Sequence, residues 1–302
     1  MLDILVRAGC FIAIILLGML LRKVGLFRRE DFNVLSTIVI KITLPASIIF
    51  SFSGKEIDPS LLFLALLGFL GGVVYIVIGL LTNRKGGPTH QAFALVNLPG
   101  YNIGCFTMPF VQTFIGPAGV IVTSLFDVGN AFVCLGGSFS LAAAVVDGSG
   151  FSFRRMGRSM VRSVPLLCYV VMVILRLLDL SLPAPVVSLA EIIGNANAFL
   201  AMFMIGIGFR LEADRTQIGR IVKHLVTRYA VAAALALLFW FVLPFDEFVR
   251  QVLVLLVFSP IGSAAPAYTA ELKNDVGLAS AVNSLAIVIS IVIMVTLMMV
   301  LF

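Results

Sequence analysis

Apolar runs of membrane-spanning length follow one another along almost the whole chain. They lie near 3–21, 33–53, 60–82, 91–114 and 118–146, and again near 160–178, 184–208, 222–243, 247–269 and 276–301. A helix crosses the hydrocarbon core with roughly 20 apolar residues, so this pattern predicts an all-α polytopic membrane protein with ten transmembrane helices. The segments between the runs are short and carry turn chemistry, as in Lys85-Gly86-Gly87-Pro88 and Asp147-Gly148-Ser149-Gly150. The first run, Ile4 to Leu21, is too long for a signal-peptide core and has no basic lead or small-residue cleavage site. It reads as the first span.

Composition agrees with that pattern. The chain is 61% apolar and 12% charged, with a mean hydropathy of +1.13, where a soluble domain holds about half apolar and a quarter charged residues. The lipid bilayer is therefore its first partner. The net charge of +6 does not point to nucleic acid, because the basic residues are distributed by topology. Sixteen of the 21 Lys and Arg fall in the connections after spans 1, 3, 5, 7 and 9. By the positive-inside rule those connections are cytoplasmic and both termini face outward. The run Arg210, Arg215, Arg220, Lys223 and Arg228 is counted with the connection after span 7, with binding of anionic lipid as its alternative use. Cys10, Cys105, Cys134 and Cys168 all lie in apolar runs without CxxC spacing. They read as reduced thiols packed among helices, with no metal site and no cofactor.

Ten spans divide into two sets of five, and an odd number of crossings turns one set upside down relative to the other. The expected organisation is a first five-helix repeat over 1–146, a cytoplasmic linker over 147–158, and a second, inverted repeat over 159–302. At a shift of 156 residues Gly54–Asp58 falls on Arg210–Asp214, Asp127 on Asn283 and Lys41 on Asn197. Inverted repeats are common in secondary transporters.

The candidate chemistry sits in two interrupted spans. The fourth carries Asn97, Pro99, Gly100, Asn102, Gly104 and Pro109, and the ninth carries Ser259, Pro260, Gly262, Ser263 and Pro266. Each proline removes an N–H and clashes with the turn before it, at about 3 kcal/mol. Unwound chain survives in a membrane only inside protein or along a wet cavity. Paired breaks at corresponding positions of two halves point to a transporter's binding site; two proline kinks that help helices pack are the plainer reading. Asp127 lies about nine residues into the fifth span, on one face with Ser124, Asn130 and Cys134. A carboxylate that deep faces protein or water, and its uses are ion coupling or hydrogen bonding near the breaks. Lys41, in the second span, either contacts substrate or snorkels to the interface. Asn195, Asn197 and Asn283 suit helix-to-helix hydrogen bonds, with Asn283 also a site candidate. His90 and His224 fall in connections and suggest no catalysis.

The stretch Asn102-Ile103-Gly104-Cys105-Phe106-Thr107-Met108-Pro109, followed by Phe114-Ile115-Gly116-Pro117-Ala118-Gly119 and Asp127, resembles the auxin efflux carrier family. Bacterial members of that family are often described as malate or malonate permeases. Leu44-Pro45-Ala46 and Ala279 to Ser290 resemble it too, and Thr107 stands where the family usually has glycine. The resemblance implies ten helices in two inverted five-helix repeats, with helices 4 and 9 crossing at their unwound centres. It also implies a scaffold panel, a moving transport domain, homodimers as the usual assembly, and a bacterial cytoplasmic membrane as the location.

Together these readings predict a secondary active transporter that moves a small organic anion, such as a dicarboxylate, by alternating access. Its expected substrate contacts are Asn97, Asn102, Gly104, Pro109, Pro260, Ser263, Lys41 and Asn283, with Asp127 as the coupling group for H+ or Na+. A channel or uncoupled facilitator is the alternative. An intramembrane enzyme fits less well, because the spans hold no HExxH, GxSxG or Cys/His cluster.

Overall fold

The computed structural model describes residues 2–56, 58–148, 150–211 and 215–302, with Arg215 described by its backbone. Every ordered element among the described residues is helical. The long helices are α1 (Leu2–Lys23), α2 (Asp31–Phe52), α3 (Pro59–Thr82), α6 (Pro117–Asp147), α9 (Ala184–Gly208), α10 (Ile218–Val242) and α13 (Val276–Leu301), each long and apolar enough to cross a membrane. An eighth crossing is the bent pair α7 (Phe153–Val161) and α8 (Val164–Leu177), which meet at 70°. Between the long helices lie two pairs of short ones: α4 (Gly87–Asn97) with α5 (Ile103–Phe114), and α11 (Glu247–Val257) with α12 (Ala265–Glu271).

The linker expected over 147–158 is largely α7. Arg154, Arg155 and Arg158 stand on it beside exposed Phe153 and Val161, the composition of a helix lying along an interface. Ser163 then caps α8, its hydroxyl accepting from the Leu166 N–H at 3.4 Å, and Pro165 occupies the first turn, where its missing N–H does no harm. The sixth span accordingly starts at Val164 and not near 160. Of the correspondence between Gly54–Asp58 and Arg210–Asp214, Ile57 and residues 212–214 lie outside the described residues.

Packing sorts the helices into two groups. The first is α1, α2, α8 and α9, with α1 laid on α9 and α2 on α8 and α9. In the second, α3 lies on α6, α10 on α11, and α12 on α13. Backbone contact is very close inside each group. A Cβ on Gly206 would strike the Ile15 carbonyl of α1, and a Cβ on Gly129 would strike the Ala65 carbonyl of α3. Small residues do this work in membranes, where apolar side chains gain nothing by leaving lipid for protein.

Three helices contain a wide turn, at Val39–Thr43, Ile103–Thr107 and Val133–Gly137. The first two lie just before Pro45 and Pro109. Proline at position i clashes with the carbonyl at i−4, and an expanded turn moves that carbonyl aside. The third holds Gly136 at φ 136 and bends the cytoplasmic-predicted end of α6.

Candidate functional site

Both interrupted spans break where the sequence expects, and the breaks touch. α4 ends at Asn97, because Pro99 restricts Leu98 and cannot continue the ladder. Gly100 follows at φ 81, a left-handed conformation that also leaves room for the Cys134 thiol beside it. The Asn102 N–H then donates to the Pro260 carbonyl at 2.9 Å. The Thr107 hydroxyl donates to Ser259 Oγ at 2.7 Å, and the Ser263 hydroxyl approaches Cys105 Sγ at 3.9 Å. Thr107, the residue that departs from the family pattern, thus forms part of the contact between the two breaks.

Arg228 fills the crossing. It lies in α10 and is 1% exposed. Nη1 donates to the Leu98 carbonyl, and Nη2 donates to the carbonyls of Gly100 (3.0 Å), Ser259 (2.7 Å) and Pro260 (3.1 Å). The guanidinium also lies over the rings of Tyr75 and Tyr101, at 5.0 and 5.7 Å from their centroids. A charged side chain at mid-membrane costs about 2.5–3.5 kcal/mol on insertion scales. Here the carbonyls that follow α4 and α11 offset it. Each helix C-terminus carries a partial charge of roughly −0.5, and two of them balance one guanidinium.

On the other side of the break stands a polar cluster from α6. Asn130 accepts from the Tyr101 N–H and donates to the Tyr101 carbonyl, both at 3.0 Å. Its amide also donates to Asp127 Oδ1 at 2.7 Å. The second carboxylate oxygen accepts from the Tyr169 hydroxyl at 3.0 Å. Tyr169 belongs to α8, so this bond joins the two helix groups. Asp127 itself is half-buried and reaches a cavity.

Two cavities lie between the groups and share Asn102, Cys105 and Ser263 in their walls. The smaller, of about 200 Å³, is bounded by Ile40 and Leu44 of α2, Tyr169 of α8, and Gly104, Asp127 and Cys134 of the other group. The larger, of about 400 Å³, reaches Asn283 and Ser280 of α13 and opens between Arg22, Arg29 and Arg210, with Glu30 as the carboxylate in its described lining. Arg22 donates there to the carbonyls of Ile207 and Phe209, holding the end of α9 at the mouth of the cavity.

Residues 10–143, which hold the first break and Asp127, match the family model described as Membrane transport protein. That segment, somewhat under half of the chain, is similar to members of the auxin efflux carrier family. No curated protein matches the chain. The second break and Arg228 lie beyond the matched segment, yet they complete the structure that the first break begins.

The cavities gather Asn102, Gly104, Ser263, Asn283 and Asp127 from the residues expected in the site. Four others stand elsewhere. Asn97 is fully buried and donates to Phe93 O and Thr269 Oγ1, both at 3.0 Å, tying α4 to α12. Pro109 is buried in the first turn of the α-helical part of α5. Pro260 turns its carbonyl into the crossing, where Asn102 and Arg228 occupy it. Lys41 is exposed and lines neither cavity; on its wide turn Val39 and Thr43 take the inward positions, which sends Lys41 out. Asn197, its counterpart in the other half, is buried between Thr43 and Gln112 and serves packing.

Arg228 is the residue that sequence reading misplaced, as a loop charge after span 7. α10 begins ten residues before it, and Arg228 takes an inward position on the stripe Ile221, Leu225, Arg228, Ala232, Leu235 and Phe239. The 3–4 spacing of that stripe is the signal that could have located it. His224 likewise lies inside α10, buried edge-on against Phe93.

Proposed function

We propose that this transport protein is a secondary carrier of a small organic anion, a dicarboxylate or similar carboxylate, that works by alternating access. The observation that carries the reading is the position of Asn102 and the start of α5 in the wall of both cavities, between two separately packed helix groups. A helix N-terminus offers free N–H groups and partial positive charge, which suit a carboxylate. Arg228 neutralises the C-terminal ends on the far side of the crossing, so the cavity is left with the positive ends. Asp127 serves as the coupling group, because its bond to Tyr169 spans the two groups and must change when they move. Binding of an ion or proton at Asp127 would then alter the contact that motion breaks.

The reading takes 1–146 and 159–302 as inverted repeats. It is supported by contacts between positions about 153 residues apart: Thr43 with Asn197, Tyr75 with Arg228, and Thr107 with Ser259. Near a twofold axis each residue meets its own counterpart, as in an isologous dimer interface. With this topology the large cavity opens toward the basic, cytoplasmic face, and both termini lie outside.

Reconstituted uptake of malate, malonate, lactate and an aromatic carboxylate, with proton and sodium gradients imposed separately, tests the proposal. Uptake of at least one carboxylate is expected, reduced at least tenfold by Asn102→Ala. No uptake of any of them under either gradient would sink the organic-anion reading.

A further inference from the structure

The crossing of the broken helices has the donor set of a cation site, and a side chain already occupies it. Four backbone carbonyls, from Leu98 and Gly100 on one chain segment and Ser259 and Pro260 on the other, converge on a single guanidinium. In secondary transporters, unwound carbonyls at the C-terminal ends of half-helices are groups that coordinate a coupling Na+. Here no carboxylate among the described residues pairs with Arg228. Its charge is met by carbonyl dipoles and the faces of Tyr75 and Tyr101. The Tyr75 hydroxyl donates to the Arg228 carbonyl at 3.1 Å and fixes the backbone from which the side chain reaches in.

We propose that Arg228 is a resident cation that stands in for a coupling metal ion at the crossing, so that the carrier needs no Na+ there. A tethered charge differs from an exchangeable ion in one respect that matters for transport. It cannot leave, so the two breaks stay joined throughout the cycle and the crossing moves as one unit. Coupling is left to groups that line the cavity, Asp127 first among them. The consequence for coupling rests on the carrier reading, whereas occupancy of the crossing does not. Removing the guanidinium leaves the Leu98, Gly100 and Ser259 carbonyls without that donor, the Pro260 carbonyl with the Asn102 N–H alone, and a gap of the guanidinium's shape, which Na+ or free guanidinium can enter.

The test is thermal unfolding of the purified, detergent-solubilised full chain in NaCl or choline chloride at equal ionic strength, with low-millimolar guanidinium chloride as a further arm. Asp127→Asn protein, which keeps Arg228 but loses the other candidate ion site, is expected to unfold at the same temperature in Na+ and choline. Arg228→Ala should unfold several degrees lower and recover saturably with Na+ or guanidinium, while Arg228→Lys, which keeps a charge, should show a smaller loss and no Na+ response. A folded Arg228→Ala protein that responds to neither cation more than to choline would overturn the proposal. Saturable stabilisation by Na+ of protein that keeps Arg228 but carries Asp127→Asn would overturn it as well. These readouts use no transported substrate, so failure of carboxylate uptake leaves them standing.

Discussion

At the scale of single residues, Asn130 holds the site together. Its amide saturates both polar groups of the Tyr101 backbone and steadies Asp127. Asn130→Ala leaves the buried Tyr101 N–H unpaired, while the Tyr101 carbonyl keeps the Ile103 N–H, so a loss of roughly 1–3 kcal/mol is expected. It should appear as a lower unfolding temperature in detergent. Thr107→Val removes the hydroxyl that reaches Ser259 and should cost about 0.5–1.5 kcal/mol by the same measurement. Lys41→Met should leave uptake within about twofold of wild type, because Lys41 lines neither cavity; a loss in proportion to the charge removed would return it to the site. Among these residues, Asn102 and Asp127 are legible in sequence because a polar group deep in an apolar run needs a reason to be there. Arg228 is not, since a basic residue near the end of a loop has a ready explanation in topology. Asn97 and Pro260 illustrate the opposite error: breaking a helix and contacting a solute are separate roles, and only geometry divides them.

At the scale of elements, the breaks are written in proline and glycine, and both fall where those residues stand. The wide turns before Pro45 and Pro109 are less legible, since the same prolines are compatible with a simple kink. The 70° bend before α8 is hidden in the same way, because Phe153–Val161 is too short and too charged to register as an apolar run. Close packing of α3 on α6 is set by Gly68, Gly72 and Gly129. Gly129→Ala places a methyl group against the Ala65 carbonyl and forces the helices apart. Overpacking of this kind costs about 1–3 kcal/mol, so the variant should unfold at lower temperature and yield less monodisperse protein. Gly219→Ala, on the same chain with open space beside it, is the control and should behave as wild type.

At the scale of the whole molecule, the proposed carrier cycle depends on two helix groups with cavities between them. Hydrophobic runs suggest ten segments, of which seven are single helices long and apolar enough to cross a membrane and an eighth is a bent pair, and basic residues suggest an orientation, but neither says which helices pack together. That division is decided by close backbone approaches such as Gly18 with Phe203 and Gly194 with Ser47, which connect positions far apart in sequence. Few polar bonds join the groups. Among the described residues they include Tyr169 to Asp127, Gln112 to the Gly194 carbonyl, Asn197 to Gln112, Arg7 to the Thr113 carbonyl, and the Arg210 N–H to Ser284, bonds that a relative motion of the groups would have to break. Cys105 and Cys134 line the space between the groups. A membrane-permeant thiol reagent should therefore inhibit transport, and substrate should slow the reaction.

The most direct measurement is counterflow of labelled carboxylate in proteoliposomes preloaded with the same unlabelled compound. A carrier that alternates its cavity between the two faces accumulates label transiently above equilibrium, without any ion gradient. The wild-type protein should show that overshoot, Asp127→Asn should retain it while losing gradient-driven uptake, and Asn102→Ala should abolish it. Label that enters only to equilibrium, with Asn102→Ala indistinguishable from wild type, would contradict alternating access through this site.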